Sequence, residues 1–434
     1  MSEVKLFYPG VYTDEEKAAI ERYKKGEMPL LFEGLAKVPP MDDWTIRLFA
    51  KCWDGFNPLF TDPEYAKKAG YKDVPAMPGY LSIEVRSTFP DELGNIGRPD
   101  GTSYVGDGYD HEDQYFQPIY PGDKLTMGPV KCDFYDATPA EGYHKRILIM
   151  INECEVFNEA GELVAKCIRR WPETLTKDPL PAAPPAGGPP QGGEGGAPAG
   201  GPPPMMGGFA HPQHIYTDED YETMKNYWRN EKVRGSEPLY WEDINIGDEP
   251  TPTCEPPQYS NVILRNMAIW DNLRFNEGSL REKLLAGNPG RKDDKGLYSS
   301  SSHHWDVNGY AGLYNYHGKL LATRMITNWC GDSGFVTKLG WRFVNDAKPE
   351  DQFNHFPADF YRPSELLKVP YMKDRFVNSH GQGYDAYITK GYVYDKYIGE
   401  DGGHYVDMIC WVEDFDGNIE QEVPATIKLP SRGI

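Results

Sequence analysis

Apolar and polar residues alternate with a period of two along Lys145–Phe157, Phe335–Phe343 and 384–397. That period predicts half-buried β-strands. Each half of the chain then closes on two alternating runs around a tight turn, ECEVFNEAGELVAKCIRRW at 153–171 and DMICWVEDFDGNIEQEVPATIKLP at 407–430. The glycine and Asn/Asp content of Asn158-Glu-Ala-Gly161 and Asp414-Phe-Asp-Gly417 predicts hairpins there. Helical periodicity is sparser, with candidates at 13–25, 77–87, 218–232, 279–285 and 317–329. One substantial helix per half, set against several long strands, predicts an α+β layer structure. A curved antiparallel sheet wrapped around a single buried helix fits that inventory.

The stretch 178–209 consists almost entirely of Pro, Gly and Ala. It has nothing to bury and no regular hydrogen bonding to gain, so it reads as a tether. The landmarks on either side recur in the same order, which points to an internal repeat. An amphipathic stretch ends in Trp53-Asp54 in the first half and in Trp270-Asp271 in the second. Asp62-Pro-Glu-Tyr65-Ala66 is matched by Asp306-Val-Asn-Gly-Tyr310-Ala311. The organisation expected is a first domain at 1–177, a linker at 178–209 and a second domain at 210–434.

Charge narrows the partners. A formal net charge of −21 would repel a phosphate backbone over most of the surface, so nucleic acid is not an expected partner. No apolar run approaches the ~20 residues of a membrane helix, and the first residues do not read as a secretory signal. The seven cysteines are odd in number and show no CxxC spacing, so neither a disulfide framework nor a zinc site is indicated. Free buried thiols and a cytoplasmic location are the expectation.

Trp53-Asp54-Gly-Phe-Asn57-Pro58-Leu59-Phe60-Thr-Asp62-Pro-Glu-Tyr-Ala66 resembles the signature of MaoC-like, R-specific enoyl-CoA hydratases, which runs Asp, Asn-Pro, an aliphatic residue, His, then Asp and Ala. His303-His304-Trp-Asp306-Val-Asn-Gly-Tyr-Ala311 with Tyr316-His317-Gly318 is similar to the later part of that signature, and Thr327 to Phe335 is similar to the stretch after the family's central helix. The resemblance implies a tandem, double hotdog fold and a hydratase or dehydratase acting on a CoA thioester. Two departures qualify it. Phe60 stands where the signature has His, so the first half is read as the non-catalytic one, with Asp54 and Asn57 in turn and cap roles. In the second half the motif is split by an insertion at about 272–302, and Asp271 is matched to Asp54 through the shared Trp-Asp.

Adding water to a 2-enoyl thioester needs a base for water, an acid for C2 and a donor for the enolate oxygen. The expected pair is Asp271 and His304, with His303 as the alternative to His304. The N–H groups around His317 and Gly318, opening a helix, are the expected oxyanion donors, and Asp306 is placed beside them either as a substrate contact or as a helix cap. Arg281, Arg291 and Lys292 concentrate positive charge in an acidic chain and could receive a CoA phosphate or a substrate acid; a solvated charged helix is the other reading. The aromatics crowding the second half are consistent with a bulky or ring-containing acyl group. No cofactor beyond the CoA thioester substrate is expected, and adjacent His residues argue against a metal site. A hotdog thioesterase and a degenerate double hotdog that binds thioesters or supports a partner subunit stay open as alternatives. A homodimer is expected by analogy, with a hetero-oligomer as the other possibility.

Overall fold

A computed structural model describes residues 6–26, 41–54, 56–81, 102–106, 110–143, 145–179, 214–256, 317–343, 364–373, 375 and 386–433. Its strands are β1 (Thr102–Gly106), β2 (Asp110–Tyr115), β3 (Thr126–Met127), β4 (Lys131–Asp136), β5 (Lys145–Phe157), β6 (Leu163–Pro179), β7 (Thr253–Glu255), β8 (Phe335–Phe343), β9 (Tyr387–Ile398), β10 (His404–Glu413) and β11 (Ile419–Leu429). The helices are α1 (Asp14–Lys24), α2 (Asp43–Asp54), α3 (Pro63–Lys68), α4 (Asp218–Asn230) and α5 (His317–Cys330).

All the strands join one sheet in the order β3-β5-β6-β2-β8-β11-β10-β9-β7, with β1 on β6 and β4 on β5, and every pairing is antiparallel. The repeat read from the sequence is visible in that order. Outward from the β2–β8 seam, the hairpin β6–β5 lies on one side and the hairpin β11–β10 on the other. Both expected turns form: Gly161 and Gly417 take positive φ, and the Asn158 and Asp414 N–H groups bond across to Glu162 and Asn418. A second pair of landmarks is closed identically in the two halves. Asp123 accepts from the Tyr120 N–H at 2.7 Å, and Asp248 accepts from the Asn245 N–H at 2.8 Å, each around a positive-φ glycine.

The period-two reading of β5 and β8 matches the structure, while β9 begins three residues later than the alternation suggests. Among helices, α1, α4 and α5 lie where the sequence places them. Thr13 and Thr217 close capping boxes on α1 and α4, satisfying N–H groups the first turns leave unpaired. The helix read at 77–87 is described only as far as Leu81, and the one read at 279–285 lies outside the described residues. β6 runs through Asp178 and Pro179, the first two residues of the stretch read as a tether; the rest of that stretch, and the insertion at 272–302, also lie outside them.

The helix α5 is packed on β8, β9, β10 and β11, and its apolar residues Leu320, Met325 and Ile326 are buried. They share a single hydrophobic cluster with Phe49, Trp53 and Phe60 of the first half and Trp341 of β8. A core common to both halves makes them one cooperative body, because neither can leave without exposing the other's apolar surface. The N-terminal segment is tied to the sheet by Arg146, whose guanidinium is buried between Glu16 and Asp136, at 3.1 and 3.2 Å. Among the described residues no helix is long and apolar enough to cross a membrane.

Candidate active site around the central helix

The opening of α5 brings several polar groups into the interior. Gly318 is buried in the first turn, and a Cβ there would overlap the Gln421 Oε1 of β11. Only glycine lets the helix start lie this close to the sheet. Gln421 itself has no exposed surface, and neither atom of its amide has a hydrogen-bond partner among the described residues.

One residue further on, Lys319 points to the seam. Its Nζ lies 2.6 Å from Asp113 Oδ2, with both side chains fully buried. Asp113 also faces His111 Nε2 at 3.4 Å and takes a hydrogen bond from the Tyr115 hydroxyl at 3.2 Å. Trp341 donates to His111 Nδ1 at 3.0 Å, which fixes the ring's acceptor nitrogen and turns its other nitrogen to Asp113. Burial alone would raise the Asp113 carboxyl, but the charges of Lys319 and His111 and the Lys319 hydrogen bond hold it below the usual carboxylate range. In the first half, the Gly79 N–H donates to the Tyr115 hydroxyl at 2.8 Å, so that backbone donor is taken up internally.

A second constellation lies at the other end of α5. Asp54, the last residue of α2, is buried; its Oδ2 is 3.3 Å from the Thr327 hydroxyl, and its Oδ1 has no partner among the described residues. Desolvation by burial is the largest influence on this carboxyl. Arg324 opposes it, Glu231 adds to it, and the pKa is pushed up to about 7. Arg324 forks onto Glu231 at 2.7 and 2.5 Å and also bonds Glu255, and Asn328 donates to Glu231 at 2.9 Å. Asn57 caps the short turn after α2, accepting from the Leu59 N–H at 3.1 Å, as its expected turn role requires. Among the described residues the Asp54 side chain is seen on Thr327, and burial makes it a carboxyl that exchanges a proton near neutrality, a property that the turn-and-cap reading did not contain.

The expected site residues divide between two groups. His317 and Gly318 do open the buried helix, in agreement with the sequence reading. Asp271, His303, His304, Asp306, Arg281, Arg291 and Lys292 lie outside the described residues. Asp62, the first-half counterpart of Asp306, accepts from the Glu64 and Tyr65 N–H groups and caps α3. Phe60 is buried in the shared core, so the position where the signature carries His is packing here. Sequence reasoning missed Asp113, Lys319, Arg324 and Gln421. The signal available was polar density in strands: DHEDQY in β2 and EQE in β11 offer almost nothing apolar, yet both stretches are nearly all buried.

Residues 40–167 match the profile of the FAS1-like dehydratase domain region. A UPF0336 protein of a Parafrankia species is 30% identical over 127 residues, which is 28% of this chain and 75% of that protein. The chain belongs to the MaoC-like hotdog dehydratase family. Solved structures with similar coordinates include a MaoC domain dehydratase from Chloroflexus aurantiacus, 14% identical, covering 91% of this chain and 93% of that one at a TM-score of 0.46. Another is a Mycobacterium tuberculosis protein described as a double hotdog, 10% identical, covering 94% of this chain and 98% of that one at a TM-score of 0.42. The β6–β5 and β11–β10 hairpins flank the β2–β8 seam, and α5 packs against the second of them.

Proposed function

We propose that this MaoC-like protein adds water to a 2-enoyl-CoA, or removes it from the 3-hydroxyacyl-CoA, and that the second half carries the chemistry. The observation that supports this reading best is the start of α5 at His317–Gly318, where Gly318 is buried in a first turn whose N–H groups have no partner within the helix. The positive end of a fourteen-residue helix favours the negative charge that builds on the thioester oxygen. In the hydration direction, Asp271 and His304 share a water. One takes its proton as the hydroxide bonds to C3, and the other delivers a proton to C2 as the enolate collapses. His303 replaces His304 if the loop presents the other ring. Asp306 supports the helix start, and Arg281, Arg291 and Lys292 receive the CoA phosphates. The steps use a carboxyl, an imidazole and N–H donors and call for no cofactor. The acyl group is bulky or aromatic, and the protein is a homodimer.

A thioesterase on this fold would want a carboxylate on the central helix, and HGKLLATRMITNWC has none. A second hydratase reading gives the carboxyl's part to Asp54, whose pKa near neutrality and unpartnered Oδ1 suit proton exchange. Hydration of crotonyl-CoA and cinnamoyl-CoA, followed spectrophotometrically, tests these assignments. His304→Ala should lose at least a hundredfold in kcat, and Asp271→Asn should match it. If Asp54→Asn is the dead variant and Asp271→Asn is active, the second reading replaces the first. Unchanged turnover in His304→Ala and His303→Ala would remove imidazole from the mechanism.

A further inference from the structure

An amide side chain carries one acceptor and two donor hydrogens, and burying it without partners costs free energy that a neutral methyl-bearing chain would not. Gln421 stands in that position: it is fully buried on β11, beside the first turn of α5, with Oε1 and Nε2 both unpartnered among the described residues. The two atoms are not equivalent. Oε1 lies where a Gly318 Cβ would be, so the Cα hydrogen that occupies that direction faces it in a weak contact. Nε2 then retains two hydrogens with no acceptor among the described residues. Such a group at a helix N-terminus suits an acceptor, and preferably an anionic one, since the helix dipole favours negative charge in the same place.

We infer that Gln421 is a substrate-contacting residue whose amide NH2 donates to the acyl oxygen of the thioester beside the N-terminal end of α5. The inference rests on the hydratase reading above and adds to it a side-chain donor from the last strand of the sheet. As the oxygen turns from carbonyl to enolate its charge grows, and a fixed amide strengthens its hold at that moment without reorganising. The neighbouring strands fix that amide: Gln421 pairs with Phe343 on β8 and with Val412 on β10, so its backbone cannot drift from α5. A binding group left unsatisfied in the free protein is the usual exchange of stability for function.

Gln421→Met keeps the volume and removes the amide. In the full chain, kcat/KM for crotonyl-CoA hydration should fall roughly 10–100-fold. The melting temperature of the free protein should stay level or rise. The increase in melting temperature that 3-hydroxybutyryl-CoA gives the unmodified protein should shrink or vanish in the variant. Turnover within twofold, with the same ligand-induced rise, would overturn the inference and leave a buried water as the partner of Nε2. A variant that melts well below the parent would assign Gln421 to structure and overturn it equally. An unmodified chain that neither turns over nor is stabilised by either thioester would instead sink the hydratase reading, and this inference with it.

Discussion

Lys319 Nζ and Asp113 Oδ2, 206 residues apart in sequence, lie 2.6 Å from each other with no exposed side-chain surface on either residue. They join the start of the central helix to the middle of the seam where the halves of the sheet meet. Neither charge could be buried alone, so each residue makes the other's position possible. Lys319→Met should destabilise the protein by about 3–5 kcal/mol by stranding the Asp113 carboxylate. Adding Asp113→Leu should recover most of that loss. Urea unfolding of the two variants and the double variant measures it, and strict additivity would mean the ion pair contributes nothing specific.

Asp54 should give the stability curve a distinctive pH dependence. Burial raises its carboxyl to about 7 in the native protein, while an unfolded Asp titrates near ~4. Between those values the native state binds the additional proton, so this group's contribution to stability falls as pH rises from about 4 to 7 and is constant above. Asp54→Asn removes the dependence, and the gap in its favour should widen across that window to at most about 4 kcal/mol. Melting temperatures of the two proteins at half-unit pH steps test this; parallel curves would mean Asp54 ionises at its ordinary pKa.

Gly318→Ala places a methyl group against the Gln421 amide in a fully buried site. We expect a cost of about 1–3 kcal/mol from overpacking. The double variant Gly318→Ala/Gln421→Ala should regain much of it, because the shortened side chain vacates the contested space. A double-mutant cycle from denaturant unfolding reads that coupling directly.

His214, where the described chain resumes after the Pro/Gly-rich stretch, sits 2.8 Å from Asp416 and 3.3 Å from Asp220. Burial pulls its pKa down, but the hydrogen bonds and charges of Asp416 and Asp220 outweigh that and hold it above the ordinary value. The protonated ring therefore favours the docked arrangement, fully at pH below the ordinary value of about 6.5, with the contribution lost as pH rises through the raised pKa. An NMR titration of the ring should show the elevated midpoint, and Asp416→Asn should bring it down. A midpoint indifferent to Asp416 would show that the contact does not persist in solution.

Much of the fold was legible because it depends on short-range periodicity. The boundaries of β5 and β8, the two hairpin turns and α5 come from residues within a few positions of one another. That Phe60 stands where the signature carries His was also a local reading, and Phe60 is buried in the core. Asp54 shows the limit: the sequence placed it correctly at the end of an amphipathic stretch but could not supply its surroundings. Its near-neutral pKa comes from Arg324, Glu231 and Thr327, all at least 177 positions away.

By itself, the sequence determined the alternation, the turns, the duplication and the likeness to MaoC-like hydratases. All of these are carried by residue type and spacing along one strand or helix. Only the tertiary structure decided that Lys319 meets Asp113, that Gln421 is buried against Gly318 with no described residue bonding its amide, and that Asp54 is desolvated beside the central helix. The physical reason is that a side chain's charge and hydrogen-bonding state depend on its neighbours in space and its distance from water. In an antiparallel sheet closed over a helix, those neighbours come from strands hundreds of residues apart.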